Sequence, residues 1–349
     1  MRTAFHPYLP NGPGGDPVVW VDLPDDGQAI LLDAGELTRV HNRKLLRVDR
    51  VVVTHTHMDH FIGFDRLLRL ALRRDRKLVV TGPAGFLEHV QGKIDSYVWN
   101  LIESYPVQLV AEELDGETIR SVAYRGARRM VPEPLPDRPY GGTLAAERAY
   151  TMHVAELDHG IPVLGVALHE TAHLSVNKDR LTQLGLAAGP WLSELKTAVR
   201  RGEPEDRPIE ALVAVGGTRR HLRGELARQV LFTTPGQRIA YCTDLCYSDD
   251  NVERVVELAR GADLMICEAA FLHCDEPLAR ERHHLTARQA GELARTAGAQ
   301  RLAPFHFSPR YGGRERELLD EAGEAFGGPL VELPIGPPRP EAEDENGMI

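Results

Sequence analysis

Hydrophobic runs long enough to cross a bilayer are missing from this chain. No apolar stretch approaches the ~20 residues a spanning helix needs, and the opening Met1-Arg2-Thr3-Ala4-Phe5-His6 has no hydrophobic signal core. A soluble, cytoplasmic protein without a membrane partner is expected. Cysteine is scarce: Cys242, Cys246, Cys267 and Cys274 are the only four in 349 residues, too few for a disulfide framework. The spacing of Cys242 and Cys246 suits either a small metal clip or a reduced, partly buried pair, the second being the preferred reading. An excess of positive charge is also lacking. The formal net charge of −10 argues against a general nucleic-acid coat protein, while leaving room for a local basic patch. No repeat of fixed short period is visible. The ordinary balance of 42% hydrophobic and 26% charged residues excludes a disordered or fibrous chain.

What is present is a sequence of strands alternating with helices. Ala29 to Leu32, Val51 to Thr54 and Leu78 to Thr81 are short apolar runs ending in small or polar residues, as buried strands do. Asp65 to Arg74 sets Leu67, Leu68, Leu70 and Leu72 among arginines, an amphipathic helix with a basic outer face. Ala149 to Leu157 and Val163 to Leu168 read as a strand pair about the turn Asp158-His159-Gly160-Ile161-Pro162. The second half repeats the logic: Arg238 to Thr243 and Asp263 to Glu268 are strands, and the helix Asn251 to Arg260 between them is stopped by Gly261. Thr286 and Gln289 form a capping box for a helix through Ala297, and Arg301 to His306 is a last strand. Gly126 to Gly142 and Arg200 to Asp206 are read as surface insertions, and the acidic, proline-rich tail from Pro337 as frayed.

The densest chemistry is Thr54-His55-Thr56-His57-Met58-Asp59-His60, directly after Val51-Val52-Val53. At a strand end side chains alternate faces, so His55 and His57 point the same way and can share one cation. The following turn swings Asp59 and His60 toward a second. Imidazole and carboxylate donors together suit zinc or a similar borderline metal, and two adjacent cations form a clamp for phosphoryl or acyl chemistry. Lone His and Asp residues recur at other strand ends: His159, Asp244 and His306.

In this order the motifs resemble the ribonuclease Z family of the metallo-β-lactamase superfamily, over about residue 28 to Tyr311. They are the histidine-rich turn, Asp158 to Gly165, Thr243-Asp244, Cys267-Glu268-Ala269-Ala270, His284-Leu285-Thr286 and His306-Phe307-Ser308-Pro309-Arg310-Tyr311. The resemblance implies a four-layer αββα fold in one domain over 1–336. It also implies two zinc ions, with manganese or another divalent metal as substitute. His55, His57 and His159 would hold one, Asp59, His60 and His306 the other, and Asp244 would bridge them. Asp59 would orient or deprotonate the attacking water, and His284, paired with Glu268, would protonate the departing ribose oxygen. For His283 an ordinary structural part is expected. The implied activity is cleavage of precursor tRNA on its 3′ side by a homodimer. The alternative keeps the metals and changes the substrate to a small-molecule or cyclic-nucleotide phosphodiester, or another ester. A third reading is a non-catalytic RNA-binding module.

Leu184 to Lys196, with Gly189-Pro190, is similar to the base of the family's substrate arm, which implies an arm-like insertion around 169–200. Lys178, Arg180, Lys196, Arg200 and Arg201 are candidate phosphate contacts, Trp191 a candidate stacking surface, and Arg310 a further substrate contact. A solvated helix face and a core tryptophan are the other reading of the arm. The chain departs from the family pattern in three places. His6 to Pro13 replaces the glycine-rich opening with its Arg-Asn pair, Cys267 stands where a histidine usually precedes the glutamate, and Leu285 replaces a serine. A second insertion, around 120–145, brings Arg125, Arg128, Arg129 and Arg138, expected to cover or line the cleft.

Overall fold

A computed structural model describes residues 5–24, 27–171 and 173–336; the tail from Pro337 lies outside the described residues. The apolar runs form strands because both of their faces are covered. One sheet is ordered β1 (His6–Tyr8), β2 (Val19–Leu23), β3 (Gln28–Leu32), β4 (Val48–Val52), β5 (Leu78–Gly82), β6 (Gln108–Asp115), β7 (Thr118–Arg125) and β8 (Glu133–Pro139). Its centre, β3 to β6, is parallel and its flanks are antiparallel. The chain then makes β9 (Ala145–Ala146) and the hairpin β10 (Tyr150–Asp158) and β11 (Pro162–Glu170). It next departs into β12 (His173–Val176), β13 (Pro208–Leu212), β14 (Thr218–Leu222) and β15 (Leu231–Thr234). It returns as β16 (Arg238–Cys242), β17 (Leu264–Glu268) and β18 (Leu302–Phe305). The second sheet runs β18-β17-β16-β11-β10-β9, with β16, β17 and β18 parallel.

Side-chain alternation sorts these strands into layers. In β3, Ile30 and Leu32 enter a core shared with Ile239 and Tyr241 of β16 and Ile266 of β17, which is the interior between the two sheets. Their neighbours Ala29 and Leu31 pack with Phe64, Leu67, Phe86 and Val90 of the helices Phe64–Ala71 and Phe86–Asp95. On the opposite side Ala240, Cys242, Met265 and Cys267 pack with Val255, Leu293, Ala297, Leu318 and Phe326, from the helices Asp249–Leu258, Ala287–Ala297 and Glu315–Phe326. Helices, sheet, sheet and helices are therefore four layers, and continuous apolar strands are what a doubly covered sheet requires. The Thr286–Gln289 capping box forms.

Three expectations need correction. The strand before the histidine turn is Val48–Val52, so the chain leaves the sheet before Thr54. The segment 126–142 is more than an insertion: it contains β8, whose Pro134, Pro136 and Pro139 are tolerated because the strand lies at the sheet edge. The departure after β11 is also larger than 169–200. A separate compact unit spans Thr171–Gly236, because Leu181, Leu186, Trp191 and Leu195 are completed as a small core by Ile209, Ala211, Leu226 and Val230. No helix among the described residues is long and apolar enough to cross a membrane.

Candidate metal centre

Polar residues gather where the parallel strands end, the usual crevice of an α/β sheet. β3 is followed at once by Asp33, which is fully buried and left-handed (φ 64°). Its Oδ1 accepts the Thr54 N–H at 2.7 Å, and its Oδ2 accepts from Tyr241 Oη at 2.6 Å and from His60 Nδ1 at 2.9 Å. That carboxylate fixes the chain leaving β4, so that His55 and His57 meet edge to face with ring centroids 4.4 Å apart. The short helix Met58–Phe61 then brings Asp59 and His60 round. Close backbone packing makes this turn possible: a Cβ on Gly63 would lie 2.1 Å from the Gly35 carbonyl, and one on Gly35 would lie 2.4 Å from the Asp59 carbonyl.

Three more donors arrive from the second sheet. His159 lies in the β10–β11 turn, which Asn251 holds through both the Asp158 N–H (2.9 Å) and its carbonyl (2.8 Å). The His159 Nδ1 donates to the His283 carbonyl at 2.8 Å, which leaves Nε2 as the free lone pair toward the cluster. Asp244 follows β16 and His306 follows β18, both at positive φ (52° and 57°). Three of the strand ends that carry the cluster are thus in a conformation that non-glycine residues rarely adopt.

All seven candidate ligands come together. One ligand atom from each of His55, His57, His159 and Asp244 lies within 4.8 Å of the others, and the same is true of Asp59, His60 and His306. Asp244 stands between the groups: Oδ2 is 3.8 Å from His55 Nε2 and 3.5 Å from His159 Nε2, while Oδ1 is 3.1 Å from His306 Nε2 and 3.5 Å from His60 Nε2. The Nε2 atoms of His55 and His60 are buried without a hydrogen-bond partner among the described residues. Orphaned imidazole nitrogens aimed at a shared carboxylate fit a divalent metal. Burial, with the neighbouring imidazoles adding to it, pushes His55 down to about 2, so it is a neutral donor. Burial alone would raise Asp244, but His306 and His60 prevail and hold it well below the usual carboxylate range.

Beside the cluster, His284 Nδ1 meets Glu268 Oε2 at 2.8 Å, and the other Glu268 oxygen accepts the Leu245 N–H at 2.8 Å. Burial opposes a charge on His284, yet the field and hydrogen bond of Glu268, with Asp244 behind, raise it to about 9. A ring nitrogen of His284 also lies within 4.8 Å of ligand atoms of Asp244 and His306. His283 contributes its backbone carbonyl while its side chain is exposed.

The remaining candidates do not join this cluster. Trp191 is 5% exposed, packs in the small core of its own unit and donates from Nε1 to the Ala187 carbonyl at 2.9 Å, so it offers no stacking surface. Lys178 and Arg180 are exposed on the helix Lys178–Gln183 and Arg201 is exposed, whereas Lys196 is half-buried; the Arg200 side chain lies outside the described residues. Arg310 is exposed, 3.6 Å from Asp275. Three arginines expected at the cleft pair instead with nearby acids: Arg125 with Glu133, Arg129 with Glu103 and Arg138 with Glu112. Cys242 and Cys246 form no candidate metal group among the described residues: Cys242 is buried, and Cys246 Sγ faces the Asp158 carbonyl at 3.1 Å. Asp33 is the residue that sequence reasoning missed; its only signal was a carboxylate directly after an apolar run.

A family model described as a beta-lactamase superfamily domain matches residues 197–307. Similar solved structures include the metallo-beta-lactamase fold protein YhfI from Bacillus subtilis (14% identity, TM-score 0.55, covering 93% of this chain and 94% of that one). The short form of human tRNase Z is another (18%, TM-score 0.50, 88% and 93%); at these identities both speak for the fold. Among curated proteins, a Ribonuclease Z from Acaryochloris marina is 30% identical over 89% of this chain and 87% of its own length. One from Kineococcus radiotolerans is 31% identical over 86% and 80%. Agreement at that level along nearly the whole of both chains makes this protein a member of the ribonuclease Z family.

Proposed function

We propose that this chain is a dinuclear-zinc endoribonuclease that cuts precursor tRNA on its 3′ side, working as a cytoplasmic homodimer. The observation that carries the reading is the convergence of seven His and Asp side chains from four distant segments, with Asp244 between the two groups and the Glu268–His284 pair alongside. His55, His57 and His159 would hold one cation, Asp59, His60 and His306 the other, and Asp244 both. Divalent cations there would depress the pKa of water and offset charge on the attacked phosphorus. Asp59, half-exposed at the edge of the cluster, is free to orient the attacking water and take its proton. The ribose oxygen that departs is a poor leaving group and needs a proton. His284 supplies it from Nε2, while Glu268 fixes the ring through Nδ1 and keeps it cationic. Asp33 acts at one remove, holding His60 in the tautomer whose Nε2 faces the cluster.

The names of the curated relatives support RNA over a small ester. The test is to give purified, metal-replete protein a precursor tRNA and a simple phosphodiester. Cleavage of the RNA at its 3′ side is expected, and hydrolysis of the small ester alone would defeat the tRNA reading. Sedimentation at working concentration checks the dimer.

A further inference from the structure

The helix Phe64–Ala71 follows directly on the helix that carries Asp59 and His60, and its outer face borders an open groove of 1210 Å³. Across the groove lies the segment 97–105. Three features distinguish this surface. Arg69 and Arg73, four residues apart, have no carboxylate within ion-pair distance among the described residues; Arg73 instead lies over the Tyr105 ring, 5.8 Å from its centroid. The neighbouring arginines Arg47, Arg50, Arg74 and Arg76 are, by contrast, paired with acids. The third arginine, Arg66, is committed to the Leu37 and Val40 carbonyls and to Asn42. The facing segment exposes apolar side chains that a monomer normally covers: Tyr97 is 45%, Val98 85% and Leu101 80% exposed. Tyr97 also sits edge to face with Trp99 at 5.9 Å, which gives it a rigid backing.

Cations at the end of a helix interact favourably with its dipole. That accounts for Arg69 and Arg73 but leaves the apolar wall opposite them unexplained. A groove with unpaired guanidinium groups on one side and aromatic and aliphatic faces on the other matches single-stranded nucleic acid, whose phosphates and base planes demand those two surfaces. A second copy of this chain fits less well, because a two-fold contact through the groove would bring each arginine pair toward its own symmetry mate. We infer that this groove seats a single-stranded segment of the RNA substrate outside the cut site, with its phosphates at Arg69 and Arg73 and its bases against Tyr97 and Val98. The inference rests on the endoribonuclease reading above.

The experiment uses two labelled RNAs, a precursor tRNA with its 3′ extension and the same tRNA trimmed, titrated by fluorescence anisotropy over a series of salt concentrations. Arg69→Gln/Arg73→Gln is expected to weaken binding of the extended RNA by about tenfold and to flatten its log–log salt slope by about 1.4, the sum of two single-strand phosphate contacts. Binding of the trimmed RNA and turnover of bis(p-nitrophenyl) phosphate stay unchanged. Tyr97→Ser is expected to weaken binding of the extended RNA without altering the slope. Wild-type cleavage of precursor tRNA, with both variants binding the two RNAs as wild type does, would overturn the groove assignment and leave the endoribonuclease standing. Wild type that turns over the small ester but neither binds nor cuts RNA would remove both. A double variant that changes subunit association in sedimentation and not the RNA slope would give the groove to a second copy, also against the inference.

Discussion

Asp244 is faced by four imidazoles at 3.1–3.8 Å, so its loss removes the carboxylate that lies between the two groups of side chains. Asp244→Ala is expected to lose metal and activity together, and elemental analysis still finding two ions per chain would count against a bridging part. His284 is tested by leaving group. The proton of a donor at this position would matter when a ribose oxygen departs and hardly at all when a nitrophenolate does. His284→Ala should therefore keep its metals and slow RNA cleavage by roughly 10²–10⁴-fold, with little change on bis(p-nitrophenyl) phosphate. Metal loss in this variant would make His284 a ligand instead. The pH dependence has a definite sign. A donor works while protonated, and His284 is raised to about 9 by Glu268 and Asp244 against burial; activity on RNA is present below that value and lost as pH rises through it. Cations in the adjacent cluster push the midpoint lower, so in the loaded enzyme it lies at or below about 9. Glu268→Gln removes the main stabiliser of the imidazolium and moves the alkaline limb further toward acid in a pH–rate profile.

Short elements hold these side chains, and their geometry depends on residues with no chemistry of their own. Gly63 is a case where an added methyl has nowhere to go, since its Cβ would lie 2.1 Å from the Gly35 carbonyl. Gly63→Ala is expected to cost about 1–3 kcal/mol, seen as a lowered Tm, and to weaken metal retention because the loop that shifts carries Asp59. Unchanged Tm and metal content would show the approach to be slack. At this scale the sequence was readable where one signal sufficed. The histidine-rich turn and the strand-end residues stood out because strand ends in a doubly covered sheet are where polar side chains can emerge. Asp33 did not stand out, because a single Asp after Leu32 looks like any strand terminus, and its bonds to His60, Thr54 and Tyr241 span up to 208 residues of chain. β8 was hidden by its three prolines, which read as loop until the strand is known to lie at an edge. β13 and β14 were hidden because their alternating, mostly exposed residues leave only Ile209 and Ala211 buried. Trp191 lies among charged residues in sequence and was readable two ways; the core that decides between them uses residues as late as Val230.

The whole molecule is two compact units, one with the His/Asp cluster and one, Thr171–Gly236, with its own core. In a chain whose net charge is −10, affinity for a polyanion has to come from local cationic surfaces rather than from the overall field. Lys178 and Arg180, exposed on a helix of the second unit, are one such surface, and replacing them leaves the small core untouched. Lys178→Gln/Arg180→Gln is therefore expected to weaken precursor tRNA binding and reduce its log–log salt slope by about 0.7–0.9 for each phosphate that is no longer neutralised. Hydrolysis of a small phosphodiester should continue at the wild-type rate. The comparison separates recognition from chemistry, because a small ester would need the cluster alone while an arm that grips RNA would matter for the RNA only. Parallel losses on both substrates would mean that the second unit supports the folded enzyme and does not grip its substrate. An unchanged salt slope would move the phosphate-binding cations elsewhere on the molecule.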